Sequence, residues 1–160
     1  MRMNSNIDHE YFMSLAIEMA KQSLASNEVP VGAIIVCNNK VIGKGYNLNI
    51  SRSDPTAHAE INALRDASKL LANYRLNNCQ MYVTLEPCIM CLGAIFHARI
   101  EKLFYSAIDQ KTGACGGYLD LTQDKAINHH CEIVGGILAN ETSALLKEFF
   151  KNKRQKKPQT

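Results

Sequence analysis

No apolar run in this 160-residue chain is long enough to span a bilayer. The residues that follow Met1, among them Asn4, Ser5, Asn6, Asp8 and His9, lack the hydrophobic stretch of a secretory leader. The expectation is a cytoplasmic protein with no membrane partner. The chain also has no internal repeat and no linker-like segment, which leaves one domain around one substantial core. Acidic residues are missing from the last ten positions, where Lys151, Lys153, Arg154, Lys156 and Lys157 supply five of the 18 basic residues. The net charge of +3 thus hides a slightly negative body and a strongly basic tail. Such a tail either keeps the protein soluble or contacts phosphates.

A second CxxC pair is absent as well, and this absence carries information because one such pair is present. Pro87-Cys88-Ile89-Met90-Cys91 holds it, and His58-Ala59-Glu60 lies 30 residues upstream. Residues three apart share a helix face, so Cys88 and Cys91 can grip one ion from a helix opening at Pro87. Residues two apart do not share a face. His58 and Glu60 therefore address the same ion only from the first turn of a helix, for which Asp54 is a good N-cap and Pro55 a good first residue.

Closed structural zinc sites use four protein ligands, whereas His58, Cys88 and Cys91 make three. The fourth position is left for water, with Glu60 as an uncoordinated carboxylate to handle its protons. Two helix N-termini, each worth roughly half a positive charge, would favour the thiolates and an anionic nucleophile. The competing reading makes the two cysteines small buried apolar residues and Glu60 a surface charge. Cys37, Cys79, Cys115 and Cys131 are expected to stay reduced, since a chain of this size needs no disulfide staples.

Phe12, Leu15, Ala16 and Met19 recur at helical spacing behind a cap at Asp8, predicting an opening amphipathic helix. Val31–Cys37 and Val41–Tyr46 flank Asn38-Asn39-Lys40 as a hairpin. A helix from Pro55 to about Leu71, a strand over Gln80–Leu85 and a helix from Pro87 to about His97 follow. Strands at Lys102–Ser106 and Cys131–Val134 and a last helix over Glu141–Phe150 complete an α/β pattern, a mixed sheet covered by helices.

Beyond these motifs, five segments resemble the cytidine and deoxycytidylate deaminase superfamily and, within it, the bacterial tRNA-specific adenosine deaminases. They are Glu28-Val29-Pro30-Val31-Gly32-Ala33, Asp54 to Glu60, Asn73-Tyr74-Arg75-Leu76, Tyr82 to Cys88 and Lys111-Thr112-Gly113-Ala114. The resemblance implies a three-layer α/β/α fold with a five-stranded mixed sheet, a deaminase domain over 1–150 and a basic tail over 151–160. It further implies a homodimer with one zinc ion per subunit, acting on the wobble adenosine of a tRNA anticodon stem-loop and forming inosine. His58, Cys88 and Cys91 would hold the zinc. Glu60 would move protons from water to the purine ring nitrogen and then to the departing ammonia.

For substrate binding, the resemblance points to the Ala59 N–H and the Asn47 side chain against the base, with Val29, Pro30 and Leu85 as apolar walls. In isolation those three read equally well as core residues. Asp109 would order its loop or contact ribose, with turn capping as the alternative. Phe149 would stack on a flanking nucleotide, although Phe149 and Phe150 also fit core packing after Leu145 and Leu146. Ser106 stands where the family often has glycine, Ile108 where it has a polar residue, and Cys115-Gly116-Gly117 departs from its usual small-residue run. A deaminase of a free base, nucleoside or nucleotide, such as guanine or deoxycytidylate, shares the zinc chemistry. A non-catalytic zinc module that binds RNA or a partner chain is the rival of another class.

Overall fold

The computed structural model describes residues 8–156; residues 1–7 and 157–160, and with them Asn4, Ser5, Asn6 and Lys157, lie outside the described residues. Helix α1 (His9–Leu24) opens at the expected cap, where the Asp8 carboxylate accepts the Tyr11 N–H at 2.9 Å. Its buried stripe is Phe12, Met13, Ala16, Ile17 and Ala20, while Leu15 and Met19 reach the core only at its rim. Strands β1 (Gly32–Cys37) and β2 (Lys40–Tyr46) form the predicted hairpin. Asn38 and Asn39 both adopt positive φ, 51° and 59°, a conformation that asparagine tolerates and a tight two-residue hairpin turn requires.

After a short helix α2 (Asn49–Arg52), which had no periodicity to announce it, come α3 (Ala59–Leu71), β3 (Cys79–Leu85), α4 (Ile89–His97), β4 (Lys102–Ala107), β5 (Glu132–Gly135) and α5 (Ala139–Gln155). The sheet runs β2-β1-β3-β4-β5. The first three strands pair antiparallel, and β3, β4 and β5 pair parallel.

Alternation along the strands makes two apolar faces. Ala33, Ile35, Met81, Val83 and Leu103 face α3 and α4, and Ile34, Val36, Tyr82 and Phe104 face α1. Helix α3 lies close on the sheet because its Ala59, Ala63 and Ala67 meet Gly43 and Gly45 of β2, where any Cβ would run into the helix. Helix α5 lies against β4, and its one fully buried residue, Thr142, hydrogen-bonds Ser106 of that strand at 2.8 Å. The result is the expected three-layer α/β/α sandwich with a five-stranded mixed sheet. Helix α5 runs past the predicted end at Phe150, so Lys151, Lys153 and Arg154 sit on its last turns. No helix among the described residues is long and apolar enough to cross a membrane.

Candidate active site

Both half-motifs sit at helix starts, but at different residues from those the capping rules favour. Helix α3 begins at Ala59 with His58 as its N-cap, and α4 begins at Ile89 with Cys88 as its N-cap. Asp54 closes a turn instead, accepting the Thr56 N–H at 2.8 Å and the Thr56 hydroxyl at 2.7 Å. That turn consumes the carboxylate the cap would have used, and the helix starts later. His58 and Cys88 both have extended backbones, and neither side chain caps its own helix. The imidazole and the thiol are thereby free to face each other across the gap between the two N-termini.

His58 Nδ1 lies 3.7 Å from Cys88 Sγ and 3.4 Å from Cys91 Sγ. Tetrahedral zinc with bonds of about 2.0–2.1 Å to nitrogen and about 2.3 Å to sulfur requires an N to S separation of about 3.6 Å. The two N to S separations meet that requirement, and all three ligand atoms lie within 4.8 Å of one another. The donor set of one imidazole and two thiols suits zinc. Hydrogen bonding from Cys91, and then from His58, holds the Cys88 thiol down at about 4, which favours the thiolate that a metal ligand must be.

Glu60, on the first turn of α3 and 4 % exposed, stands beside this group without belonging to it. Burial pushes its carboxyl up to about 7. Its Oε2 accepts the Cys91 thiol at 3.4 Å. A Cys91 thiolate on a metal has no proton to give, so ligation would release this carboxylate to other partners.

A cavity of about 300 Å³ opens above the cluster, walled by Val29, Asn47, Leu85 and Asp109 together with His58, Glu60 and Cys88. Three of the expected substrate contacts, Pro30, Ala59 and Phe149, do not line this cavity. Pro30 is buried away from the cavity. Phe149 lines an adjoining groove between α1 and α5 that shares Asn27 and Lys153 with the pocket. The Ala59 N–H is already donated to Asn47 Oδ1 at 2.9 Å, and Ala59 is fully buried.

Asn47 also donates from Nδ2 to the Val29 carbonyl at 3.1 Å, which ties the pocket wall to the start of α3. The Asp109 carboxylate serves its own loop, accepting the N–H groups of Lys111 and Thr112 and the Thr112 hydroxyl. Lys153 of the basic tail also lines the cavity, as do Ile50, Glu28 and Glu86, which sequence reasoning gave no part in the site. Glu28 is buried and accepts both the N–H and the hydroxyl of Ser51 through Oε1. All six cysteines are free thiols, and burial pushes Cys79 and Cys115 up to about 12, which keeps them protonated and unreactive.

Residues 6–107 match the model of the cytidine and deoxycytidylate deaminase zinc-binding region. The tRNA-specific adenosine deaminase of Haemophilus influenzae is 49 % identical over 149 residues, covering 92 % of this chain and 86 % of that protein. This chain belongs to the tRNA-specific adenosine deaminase family. A solved structure from work on A-to-I editing by tRNA:A34 deaminases superposes with a TM-score of 0.83 at 38 % identity, over 85 % of this chain and 99 % of that one. The guanine deaminase of Bacillus subtilis is more distant in both measures, at TM-score 0.62 and 32 % identity over 96 % of this chain and 98 % of that one. The family's zinc and its cytidine-deaminase-like fold are those that the ligand cluster and the sheet order call for.

Proposed function

We propose that this chain deaminates the wobble adenosine of a tRNA anticodon stem-loop to inosine, releasing ammonia, as a cytoplasmic homodimer. The observation that carries this reading is the buried Glu60 carboxylate beside three ligand atoms at tetrahedral spacing, at the floor of a base-sized cavity. In a merely structural zinc site an uncoordinated buried acid would have no task. His58, Cys88 and Cys91 would hold the zinc, which when bound would supply Lewis-acid activation of water.

Glu60 takes one proton of the attacking water on its carboxylate and passes it to the purine ring nitrogen, then carries the second, from the new hydroxyl on C6, to the amine, which departs as ammonia. Val29 and Leu85 hold the base between apolar walls. Asn47 keeps one N–H and one lone pair beyond its two internal bonds and reads the base edge with them. Asp109 acts on the substrate through the loop it orders.

Charge and shape beyond the pocket favour RNA over a free base. Lys153 projects from α5 into the cavity lining, and Lys111, Lys147, Lys153 and Arg154 surround a second groove along the same helix. An anticodon loop offers an unpaired base that enters such a pocket at lower energetic cost than a duplex base. For the homodimer, support comes from a groove along α4 whose rim includes Ile89, 59 % exposed, with Leu92 and Phe96 beneath it. The deciding assay incubates the zinc-loaded protein with an anticodon stem-loop carrying wobble adenosine and, separately, with adenosine, guanine and deoxycytidylate. Inosine in the stem-loop alone is expected, and turnover restricted to the free compounds would overturn the assignment. Sedimentation equilibrium reads the dimer.

A further inference from the structure

Glu86 is a carboxylate only 2 % exposed, two residues ahead of Cys88, and no step above makes use of it. Among the described residues no lysine or arginine pairs with it. Its charge is met by backbone instead. Oε1 accepts the Asp109 N–H at 3.2 Å, and Oε2 accepts the N–H groups of Cys115 and Gly117 at 2.9 Å each. Gly113 and Gly117 press directly on the carboxylate, where a Cβ at either position would overlap its oxygens.

The same loop is stitched to the metal side of the site. Gly113 forms an isolated bridge with Cys88, and the Ala114 N–H donates to the Pro87 carbonyl at 2.9 Å. Asp109 and Thr112, at the loop's other end, are part of the cavity wall. One buried anion thus gathers three donors from a segment 23 to 31 positions further along the chain, in the manner of backbone N–H nests that bind anions.

We propose that Glu86 is a positioning residue: its buried carboxylate fixes loop 109–117 against the Cys88 backbone and so sets the Asp109 and Thr112 wall of the pocket relative to the ligand triad. The inference rests on the reading that this pocket takes the target nucleotide. Glu86 is not one of the three ligand residues, and both of its carboxylate oxygens are committed to the loop. It acts by holding the wall preorganised, and the energy that would order the loop upon binding is saved in advance.

The test is Glu86→Gln. Glutamine offers one acceptor oxygen, which belongs with the Cys115 and Gly117 donors, and its NH₂ then opposes the Asp109 N–H. Zinc should stay at one per chain. The KM for the anticodon stem-loop should rise about tenfold, equivalent to about 1.4 kcal/mol, with kcat changed by less than about threefold. Glu86→Asp, which keeps the charge, should recover part of the KM. An unchanged KM, or a fall in kcat or zinc with KM held, overturns the proposal.

Amide hydrogen exchange on the zinc-loaded wild type gives a readout that does not depend on a variant folding. The Asp109, Cys115 and Gly117 amides should exchange at least about 100-fold more slowly than the amide of exposed Gln110. Free exchange at those three overturns the brace. Protection in a wild type that is inactive on the stem-loop overturns the substrate reading and leaves the brace standing.

Discussion

The one fully buried side chain of helix α5 is half of a hydroxyl pair with the sheet, and this makes a sharp prediction about how its docking is built. Ser106 and Thr142 are both inaccessible to solvent and bonded at 2.8 Å. Thr142→Val keeps the side-chain volume but strands the Ser106 hydroxyl, at a cost of about 1–3 kcal/mol for a buried group without its partner. Near 2 kcal/mol, the Tm of a chain of this size falls by about 4–8 °C.

Ser106→Ala should cost less, about 1 kcal/mol, because the Thr142 hydroxyl can turn to the carbonyl one helical turn back. Removing both hydroxyls leaves no orphan, so the double variant should be more stable than the sum of the single losses by about 1 kcal/mol. Urea unfolding of the zinc-loaded protein measures all four corners of the cycle. Losses that add to within about 0.3 kcal/mol would falsify the idea that these hydroxyls form one unit. Since α5 also brings Lys153 to the cavity, the single variants should raise the KM for the stem-loop.

Glu60→Gln should retain its zinc, read by atomic absorption, while inosine formation falls by about 10²–10⁴-fold, the usual share of general acid–base catalysis; turnover near the wild-type rate refutes the shuttle role. His58→Ala removes one of three ligands and should abolish both zinc retention during dialysis and activity, whereas full zinc occupancy would move the metal elsewhere. Truncation after Phe150 removes the last turns of α5 along with the remaining basic residues. It should weaken stem-loop binding and flatten the dependence of log K on log salt by about 0.7 for each phosphate no longer neutralised. An unchanged slope would assign those cations to solubility.

The chemistry was more legible in the sequence than its mounting. Ligand types and spacing were enough to pick out His58, Cys88 and Cys91, whose donor atoms the fold gathers with Glu60 beside them, because metal coordination constrains residue identity directly. The hairpin at Asn38-Asn39 and the cap at Asp8 were legible for a related reason, being local bonds between residues a few positions apart. Helix starts at Pro55 and Pro87 were misjudged because cap preferences describe isolated helices. Here Thr56 claims Asp54, and the N-cap positions belong to the ligands. Glu28 and Glu86 escaped notice because their partners, Ser51 and loop 109–117, are distant in sequence and contribute backbone N–H groups that no side-chain pattern reveals. The end of α5 was placed too early since its final turns are exposed and basic, with no apolar stripe to mark them.

Histidine and cysteine at the two N-cap positions set stability against function. An aspartate, asparagine, serine or threonine in that position commonly stabilises a helix by about 0.5–2 kcal/mol, and neither His58 nor Cys88 bonds its own helix in this way. In the metal-free chain, a capping side chain at either position, as in Cys88→Ser, would favour the helix it opens. Selection on stability alone would therefore erode the site one favourable substitution at a time. A relative with well-capped helices at these two places would be a tougher protein that has lost two metal ligands.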